Sequence, residues 1–392
     1  MTRALVAVLS AVALLVAGCT AQPAATGRDR SCVDDYRAGT DYFPDRSAIT
    51  HATNFTVDYH DDYALLTVKQ PFPGGSPQSY LLVRCGVPDP QLSGAAAQAT
   101  RIEVPVRTVY SGSTTQLPFF GELDVLDALT GVADAGLVTD AQVRSRVAEK
   151  KIAEYGAGGV VNTEAVLAAR PDVLLTDGTD SDVYPVLRKA GIPVLAFADW
   201  LESTPLGKAE WIKVLGLLTG TSATADRVFG DISRRYDELA ARARSVTDTD
   251  VLYGTEFQGT WTVPAGDSAA GVLVRDAGGD WPWSSRTGNS VQLSFEDIVT
   301  GAGELPIWLV SDNQWTSIDD VLRQDPRYRA LAAVRDGQVW NANLVIGPGG
   351  GNDYFERGSA RPDLVLADVL AILHPELMPD HTFTFFRRLS RG

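Results

Sequence analysis

The stretch "NTEAVLAARPDVLLT" (residues 162–176) contains one complete helix-to-strand unit. Asn162 or Thr163 can cap a helix, Glu164 falls in its first turn, and Pro171 ends it. The apolar run in "DVLLT" then predicts a buried strand, because a strand covered on both faces carries apolar side chains on both.

The next stretch, "DSDVYPVLRKAGIPVLAF" (residues 180–197), repeats this order, with Gly191 after the helix and "PVLAF" as the strand. Helices that alternate with all-apolar strands predict parallel βαβ packing and an α/β fold. Upstream, "RIEVPVRTVYSG" (101–112) predicts one strand that enters a Gly/Ser turn, and "LPFFGELDVLDALTGV" (117–132) predicts a helix.

Residues 222–245 form the longest periodic segment of the chain and predict one long helix. Its apolar side consists of Val228, Phe229, Ile232, Tyr236 and Leu239. After it, strands and helices alternate again from "DVLYGTEF" to "RPDLVLADVLAIL", and the tail "TFTFFRRL" predicts a last strand or strap. The pattern predicts two α/β lobes that flank one helix, with a binding cleft between the lobes. Two unrelated α/β domains with a helical linker are the alternative.

Residues 32–88 predict a small unit of their own. In it, "FTVDYHDDYALLTVKQPF" alternates apolar and polar residues around a hairpin turn, and "SYLLVRC" predicts the third strand of an antiparallel meander. Residues 88–100 read as a linker by composition. A disulfide between Cys32 and Cys85 is the simplest prediction for an exported protein, and two free thiols are the alternative.

The N-terminal region carries an export signal. Its apolar run from Ala4 to Ala17 is shorter than the roughly 20 residues that a membrane-spanning helix needs. The ending "LVAGC" resembles the bacterial lipoprotein signal, which implies that residues 1–18 are a signal peptide and that Cys19 takes a lipid such as palmitate. A plain secretory peptide with an incidental cysteine is the alternative. Residues 19–31 then predict a polar tether.

Length and charge exclude several classes of function. The 392 residues are too many for one ordinary core, so two lobes or domains are expected. The formal net charge of −15 argues against nucleic acid and against electrostatic binding to anionic lipid. We therefore expect membrane contact through the lipid anchor only, at the outer face of a bacterial cell membrane.

The order of these elements resembles a known family. The lipoprotein signal, "NTEAVLAARPDVLLT", "YPVLRKAGIPVLAF", the long helix and "LSFEDIVTGAGELPIWLVS" are together similar to the substrate-binding proteins of ABC importers, in the class that carries iron–siderophore complexes, haem or cobalamin. The resemblance covers about residues 101–378. It implies two Rossmann-like lobes (101–221 and 247–392) joined by a rigid spine helix (222–246), the helical-backbone periplasmic-binding fold. The segment "GGNDYFERGSARPDLVLADVLAILHPELMPDH" resembles a branch of this family whose members carry an N-terminal extension like residues 32–100.

The resemblance also implies partners: an iron chelate, haem or corrinoid as ligand and an ABC permease, with no cofactor. A cleft for such ligands needs flat apolar faces and a few donors. The loop "GGDWPWSSR" (278–286) offers Trp281 and Trp283 for stacking and Arg286 for ligand oxygens. The alternative is that one or both indoles anchor the core.

Several other candidate ligand contacts stand just past or near predicted strand ends, where α/β proteins bind ligands. These are Tyr110, Ser113, Thr114, Trp200, Trp261 and Trp315. Tyr155, which precedes the capped helix and could face the cleft, and Tyr354 and Arg357 in "GGGNDYFERG" are further candidates. Burial in the core is the alternative for each of these tryptophans, and similarly for Tyr354 and Arg357. The run Gly349–Gly351 has the wrong spacing for a dinucleotide site and is expected to permit a sharp loop.

Permease docking is implied by the resemblance as well, because the family places one Glu on each lobe against permease arginines. Glu296 in "LSFEDIV" matches the position on the second lobe, and Asp182 stands where the first lobe would carry a Glu. Ordinary acidic charge at a helix N-terminus is the alternative for both.

Two rival functions have little support in the sequence. Free Zn or Mn sites use several histidines, and the four present, at positions 51, 60, 374 and 381, lie outside the segments expected to line the cleft. No G-x-S-x-G elbow, P-loop or H-E-x-x-H motif indicates an enzyme. An exported hydrolase and a ligand-free scaffold lipoprotein stay as alternatives.

Overall fold

The computed structural model describes residues 32–158 and 160–391. The predicted signal peptide, the lipidation of Cys19 and the tether therefore lie outside the described residues. Within those ranges, no helix combines the length and the apolar character that crossing a bilayer requires.

The N-terminal extension forms a four-stranded sheet. Its strands are β1 (Phe55–Tyr59), β2 (Tyr63–Val68), β3 (Gln78–Arg84) and β4 (Thr100–Val104). The first three strands are an antiparallel meander and β4 joins β3 in parallel. The predicted meander and the Cys32–Cys85 disulfide are both confirmed.

Lobe one contains a five-stranded sheet in the order β11-β10-β5-β6-β7, with every pair parallel. Its elements are β5 (Val109–Ser111), α1 (Leu117–Glu122), β6 (Leu129–Val132), α2 (Ala141–Ala148), β7 (Ala153–Glu154), β8 (Gly156–Ala157), β9 (Val160–Val161), α3 (Thr163–Ala169), β10 (Val173–Thr176), α4 (Val183–Lys189) and β11 (Val194–Ala196). The helix-to-strand unit at residues 162–176 is confirmed, and the side chain of Asn162 caps α3 by accepting a hydrogen bond from the backbone N–H of Ala165.

Two predictions for the start of lobe one are wrong. Residues 101–112 are not one strand, because β4 ends at Val104, Pro105 brings no backbone donor, and β5 begins a different sheet. The helix predicted over 117–132 ends at Glu122, since Asp124 adopts a left-handed backbone (φ 55°) that no α-helix continues. Residues 129–132 form β6 instead. The exact limits of the domains stay a prediction.

The spine helix is confirmed. After α5 (Pro205–Ala209) and α6 (Ile212–Thr219), α7 (Ser222–Ala243) runs for 22 residues, or about 33 Å. The predicted apolar side is buried at Val228, Phe229, Ile232 and Tyr236, whereas Leu239 is half-buried. The helix packs against α6 on one side and against a helix of lobe two on the other.

Lobe two contains a second five-stranded sheet in the order β15-β12-β17-β18-β19, parallel except for β19. Its elements are β12 (Thr249–Tyr253), β13 (Thr255–Phe257), β14 (Thr260–Pro264), α8 (Ala269–Asp276), β15 (Gly279–Asp280), β16 (Ser290–Leu293), α9 (Phe295–Ala302), β17 (Ile307–Val310), α10 (Ile318–Gln324), α11 (Ala332–Arg335), β18 (Val339–Asn341), α12 (Asp353–Glu356), α13 (Pro362–Leu373) and β19 (Arg387–Arg388). The tail strand is confirmed as β19. The predicted strand "DVLYGTEF" is two strands, of which β13 joins a small antiparallel sheet with β14 and β16.

One hydrophobic cluster of the described residues spans the extension, both lobes and α7, and three smaller clusters lie beside it. It joins Leu66 of the extension, Leu195 of lobe one, Ile232 of α7 and Val274 of lobe two. The extension is thus not packed by itself, contrary to our expectation of a separate unit. The two α/β lobes and the long helix between them are as predicted.

Candidate functional site: a cavity between the two lobes

A cavity of about 220 Å³ lies where the two lobes meet. Lobe one contributes Pro205 and Lys208, from the segment after β11, and lobe two contributes Tyr253 at the end of β12 and Tyr354 and Phe355 from α12. Each of these positions lies at or beyond the carboxyl end of a parallel strand, which is where α/β sheets bind ligands.

A larger groove of about 810 Å³ lies elsewhere, between the extension and α7, and is lined by residues such as Thr50, His51, Phe229 and Glu238. Its wall is the side of a helix, and its lining residues include no strand end. We therefore take the cavity between the lobes as the candidate site.

Lys208 is the cation of this cavity. Its side chain is half-buried, and its ammonium group makes no hydrogen bond or ion pair with residues 32–158 or 160–391. Burial lowers the pKa of Lys208, and the negative charges of Asp199 and Glu202 oppose that change. The ammonium group is thus held near two carboxylates without contacting either.

Asp199 lies in the turn that follows β11, its side chain is fully buried, and its charge acts on Lys208 of the cavity. Thr115 Oγ1 donates to Asp199 Oδ1 over 3.4 Å, whereas Oδ2 has no hydrogen-bond partner among the residues described. Burial raises the pKa of Asp199 to about 6, although Lys208 and the hydrogen bond from Thr115 act in the opposite direction. A buried carboxylate oxygen without a partner is uncommon in a core and typical of a binding site.

Two tyrosines line the same cavity as Lys208. The hydroxyls of Tyr253 and Tyr354 are hydrogen-bonded at 3.0 Å. Burial raises the pKa of both phenols, so both stay neutral near pH 7. Because only one of the two hydroxyl protons is used between them, the other is free to bind a third acceptor.

Large exposed apolar side chains occur in the segments that follow the parallel strands of the two sheets, and one of them, Phe355, lines this cavity. Of the seven large apolar side chains that are exposed in the described part of the chain, six follow the carboxyl end of a parallel strand. These six, which we call the apolar rim, are Leu137 after β6, Val160 after β7, Trp200 after β11, Phe257 after β12, and Val345 and Phe355 after β18. The seventh, Val186, lies on α4. Exposed large apolar side chains in segments that follow strand ends are candidates for contact with an apolar ligand.

The lobes also touch directly beside the cavity. Glu356 of α12 is buried and accepts hydrogen bonds from the backbone N–H groups of Thr139 (2.6 Å) and Asp140 (2.9 Å) in lobe one. A Cβ added at Gly349 or Gly351 would lie within 2.5 Å of a backbone oxygen of residues 136–137. The glycine run therefore lets the two backbones approach closely, a role that our prediction of a sharp loop did not include.

The loop "GGDWPWSSR" divides between core and surface. Trp281 is buried and its indole N–H donates to the Pro264 carbonyl at 2.9 Å, so it anchors the loop. Trp283 is half-buried and its ring lies over Gly301 of α9. Arg286 is exposed, and its guanidinium has no partner among the described residues.

Four other candidates are core residues. Tyr110 and Tyr155 are buried and stack with ring centroids 4.9 Å apart on the face of lobe one that α3 and α4 cover. Trp261 and Trp315 are buried in the core of lobe two. These four side chains are buried and are not accessible to a ligand in this structure. The sequence could not show this, because periodicity marks an apolar position but does not tell which face of the sheet it occupies.

The remaining candidates lie near the cavity or on the surface. Tyr354 lines the cavity, Trp200 belongs to the apolar rim, and Ser113 and Thr114 are half-buried after β5. Arg357 is half-buried and paired with Asp353 at 2.5 Å.

The proposed docking carboxylates are both exposed. Glu296 is in the first turn of α9, and Asp182 is at the N-cap of α4 without a side-chain capping bond.

Sequence reasoning missed Lys208, Asp199, Tyr253 and Phe355. Asp199 carried a usable signal, since it comes directly after the strand "PVLAF" at a predicted carboxyl end. Lys208 carried none, because nothing local distinguishes it from a surface lysine.

A family model described as "Periplasmic binding protein" matches residues 120–343, more than half of the chain. The chain belongs to this family. Its fold is that of the solute-binding proteins of ABC transporters. Within residues 32–158 and 160–391, no group of three or more His, Cys, Asp or Glu side chains could hold a metal ion.

Individual relatives agree with this assignment. An uncharacterized lipoprotein of Methanocaldococcus jannaschii is 26% identical over 254 residues, which are 63% of this chain and 59% of that protein. The match thus spans about 59% of the relative's length. A solved periplasmic haem-binding protein of Pseudomonas aeruginosa is 20% identical, with a TM-score of 0.53 over 73% of this chain and 99% of its own. A solved periplasmic vitamin B12-binding protein of Vibrio cholerae is 15% identical, with a TM-score of 0.51 over 71% and 99%. At these identities the solved structures share the fold.

Proposed function

We propose that this protein is an extracytoplasmic lipoprotein of an ABC importer that captures a bulky, partly apolar solute between its lobes and delivers it to a permease. The ligand classes proposed are an iron–siderophore complex, haem or a corrinoid. Membership of the periplasmic binding protein family and the M. jannaschii lipoprotein relative support export, and the lipid anchor is proposed at Cys19.

The apolar rim is the observation that carries this proposal. Exposed indole, phenyl and aliphatic groups follow the strands of both sheets, and Phe355 among them lines the cavity, which suits a ligand with flat apolar faces. The solved haem-binding and vitamin B12-binding proteins of the same fold are consistent with ligands of this size. Of the predicted contacts, we retain those near the cavity or accessible at the surface: Ser113, Thr114, Trp200, Trp283, Arg286, Tyr354 and Arg357.

Binding such a ligand requires the lobes to separate. The present cavity of about 220 Å³ is below the roughly 300–1,000 Å³ of small-molecule sites. We propose that the contacts of Glu356 and of the glycine run open to admit the ligand, while α7 limits the movement.

Titration of the full chain in detergent with haemin, cyanocobalamin and ferric siderophores tests the proposal. A binding protein quenches tryptophan fluorescence at one equivalent of ligand and leaves the ligand chemically unchanged. A hydrolase would consume its substrate, and a ligand-free scaffold would respond to none of these compounds.

Docking to the permease is tested separately. Glu296→Arg reverses an exposed charge on α9, so we expect unchanged ligand affinity but reduced uptake in cells, with a smaller reduction for Asp182→Arg. Normal uptake by the Glu296 variant would remove this residue from the docking surface.

A further inference from the structure

We propose that Lys208 selects ligands that carry an oxyanion group, and that it binds this group together with the hydroxyl pair of Tyr253 and Tyr354. This inference rests on the proposed function and adds a charge requirement to it. It depends on which polar groups of the cavity already have partners and which do not.

The carboxylate of Glu202 is already committed to other donors. Its oxygens accept hydrogen bonds from the backbone N–H groups of Thr53 (2.8 Å) and Asn54 (3.0 Å) and from the indole N–H of Trp211 (3.0 Å). The negative charge of Glu202 therefore favours the protonated form of Lys208 from a distance, without a hydrogen bond or ion pair between the two side chains.

Asp199 does not pair with Lys208 either. No oxygen of Asp199 lies within the 4.0 Å of an ion pair with Lys208, and its Oδ1 accepts a hydrogen bond from Thr115. A half-buried ammonium group is costly unless an acceptor meets it. The group that meets Lys208 is thus expected to come from the ligand.

The tyrosine pair supplies the second donor. One of the two hydroxyl protons is unused, and both residues line the same cavity as Lys208. An ammonium group and a phenol hydroxyl around one cavity suit a carboxylate or a catecholate oxygen, which accepts several charge-assisted hydrogen bonds. A neutral ligand would leave the cation unpaired.

The test uses four probes of the proposed ligand classes, two anionic and two neutral. A ferric tricatecholate complex and haemin carry oxyanions, whereas a ferric trihydroxamate complex and cyanocobalamin are neutral. The full chain, Lys208→Met, Lys208→Arg and the control Lys189→Met are titrated with each probe by tryptophan fluorescence, and their melting temperatures are measured. Lys189 is exposed on α4 and makes no side-chain bond within the described residues.

We expect the unmodified chain to bind the ferric tricatecholate more tightly than the ferric trihydroxamate, or haemin more tightly than cyanocobalamin. Lys208→Met should weaken that binding about tenfold or more, while Lys208→Arg and Lys189→Met change it little. Equal affinity of Lys208→Met and the unmodified chain for the anionic probe, or binding of neutral probes only, would overturn the inference and leave the proposed function intact.

A purely structural lysine would behave differently. Lys208→Met could lower the melting temperature and weaken the binding of anionic and neutral probes equally. Lys208 would then serve only to balance the negative charges of Asp199 and Glu202, and the inference would be wrong. If none of the four probes bound to the unmodified chain, the proposed function itself would fail, and the inference with it.

Discussion

Lobe one meets the extension on one side and lobe two on the other. The two interfaces differ in how many hydrogen-bond partners their buried charged groups have. On the extension side, Glu210 is fully buried and accepts hydrogen bonds from the backbone N–H groups of Thr50, His51 and Ala52 and from Lys213 Nζ at 2.8 Å. Glu202 is satisfied in the same way by the next residues of the extension.

On the side of lobe two, Glu356 is satisfied as well, but the polar groups of the cavity and of the turn after β11 lack partners. Asp199 keeps one oxygen without a partner, Lys208 contacts no acceptor in the described chain, and one hydroxyl proton of the Tyr253–Tyr354 pair is unused. A polar network that is complete serves the stability of the fold, whereas one left incomplete at a strand edge marks a place for a ligand. The comparison predicts that changes on the first side alter stability and changes on the second alter affinity.

The largest effect is expected for Glu210→Ala. Burial would raise the pKa of Glu210, but hydrogen bonds from Lys213 and the backbone outweigh it and lower the pKa, so the carboxylate is charged when folded. Its removal leaves three backbone donors unpaired and takes from Lys213 its nearest carboxylate, although the Ala48 carbonyl and Asp226 stay within reach of the ammonium group. This should cost about 3–5 kcal/mol of unfolding free energy. Urea unfolding measures this, with the exposed Glu238→Ala as control. A loss as small as that of the control would break the comparison.

Asp199→Asn is expected to raise the free energy of unfolding at pH 7, by less than Glu210→Ala lowers it. Because the folded state raises the pKa of Asp199 to about 6, the folded chain binds this proton more tightly than the unfolded chain. The stability of the unmodified chain therefore falls as the pH rises from about 4 to about 6. The variant should be more stable at pH 7 by at most about 3 kcal/mol and nearly unchanged at pH 4.

Unfolding at the two pH values checks this, with Asp182→Asn as the exposed control. An equal effect of Asp199→Asn at both pH values would show that its carboxyl group is not the titrating group.

The smallest effect is expected for Trp200→Ala, which should lower the affinity for the ligand and change the stability of the fold little. The indole is 39% exposed and its N–H donates to the Asp177 carbonyl at 3.0 Å, so little core packing is lost. Losing one stacking face should weaken the binding of an aromatic or macrocyclic probe about tenfold. Val186→Ala is the control, because Val186 is the one large exposed apolar side chain of the described residues that lies outside the rim. Equal affinities of the two variants would remove Trp200 from the site.

The sequence indicated a region of lobe one more readily than individual contact residues. Strand ends in "TVYSGST" and "PVLAF" pointed to one edge of its sheet, because parallel strands end at the same edge, and Pro205 and Lys208 of the candidate cavity follow the second of these strands. Tryptophan as a residue type was less informative, since indoles serve both cores and ligands. Trp261, Trp281 and Trp315 became core residues, whereas Trp200 stayed exposed.

The sequence by itself determined the local elements: the cap at Asn162, the apolar side of α7, and the strands at residues 173–176 and 194–196. These depend on periodicity and on residues a few positions apart, which local physics resolves. Only the tertiary structure decided that residues 101–112 divide between two sheets and that Lys208, Tyr253 and Tyr354 share one cavity. Their proximity follows from the packing of two sheets about α7, and no pattern within a short window records which distant side chains such packing brings together.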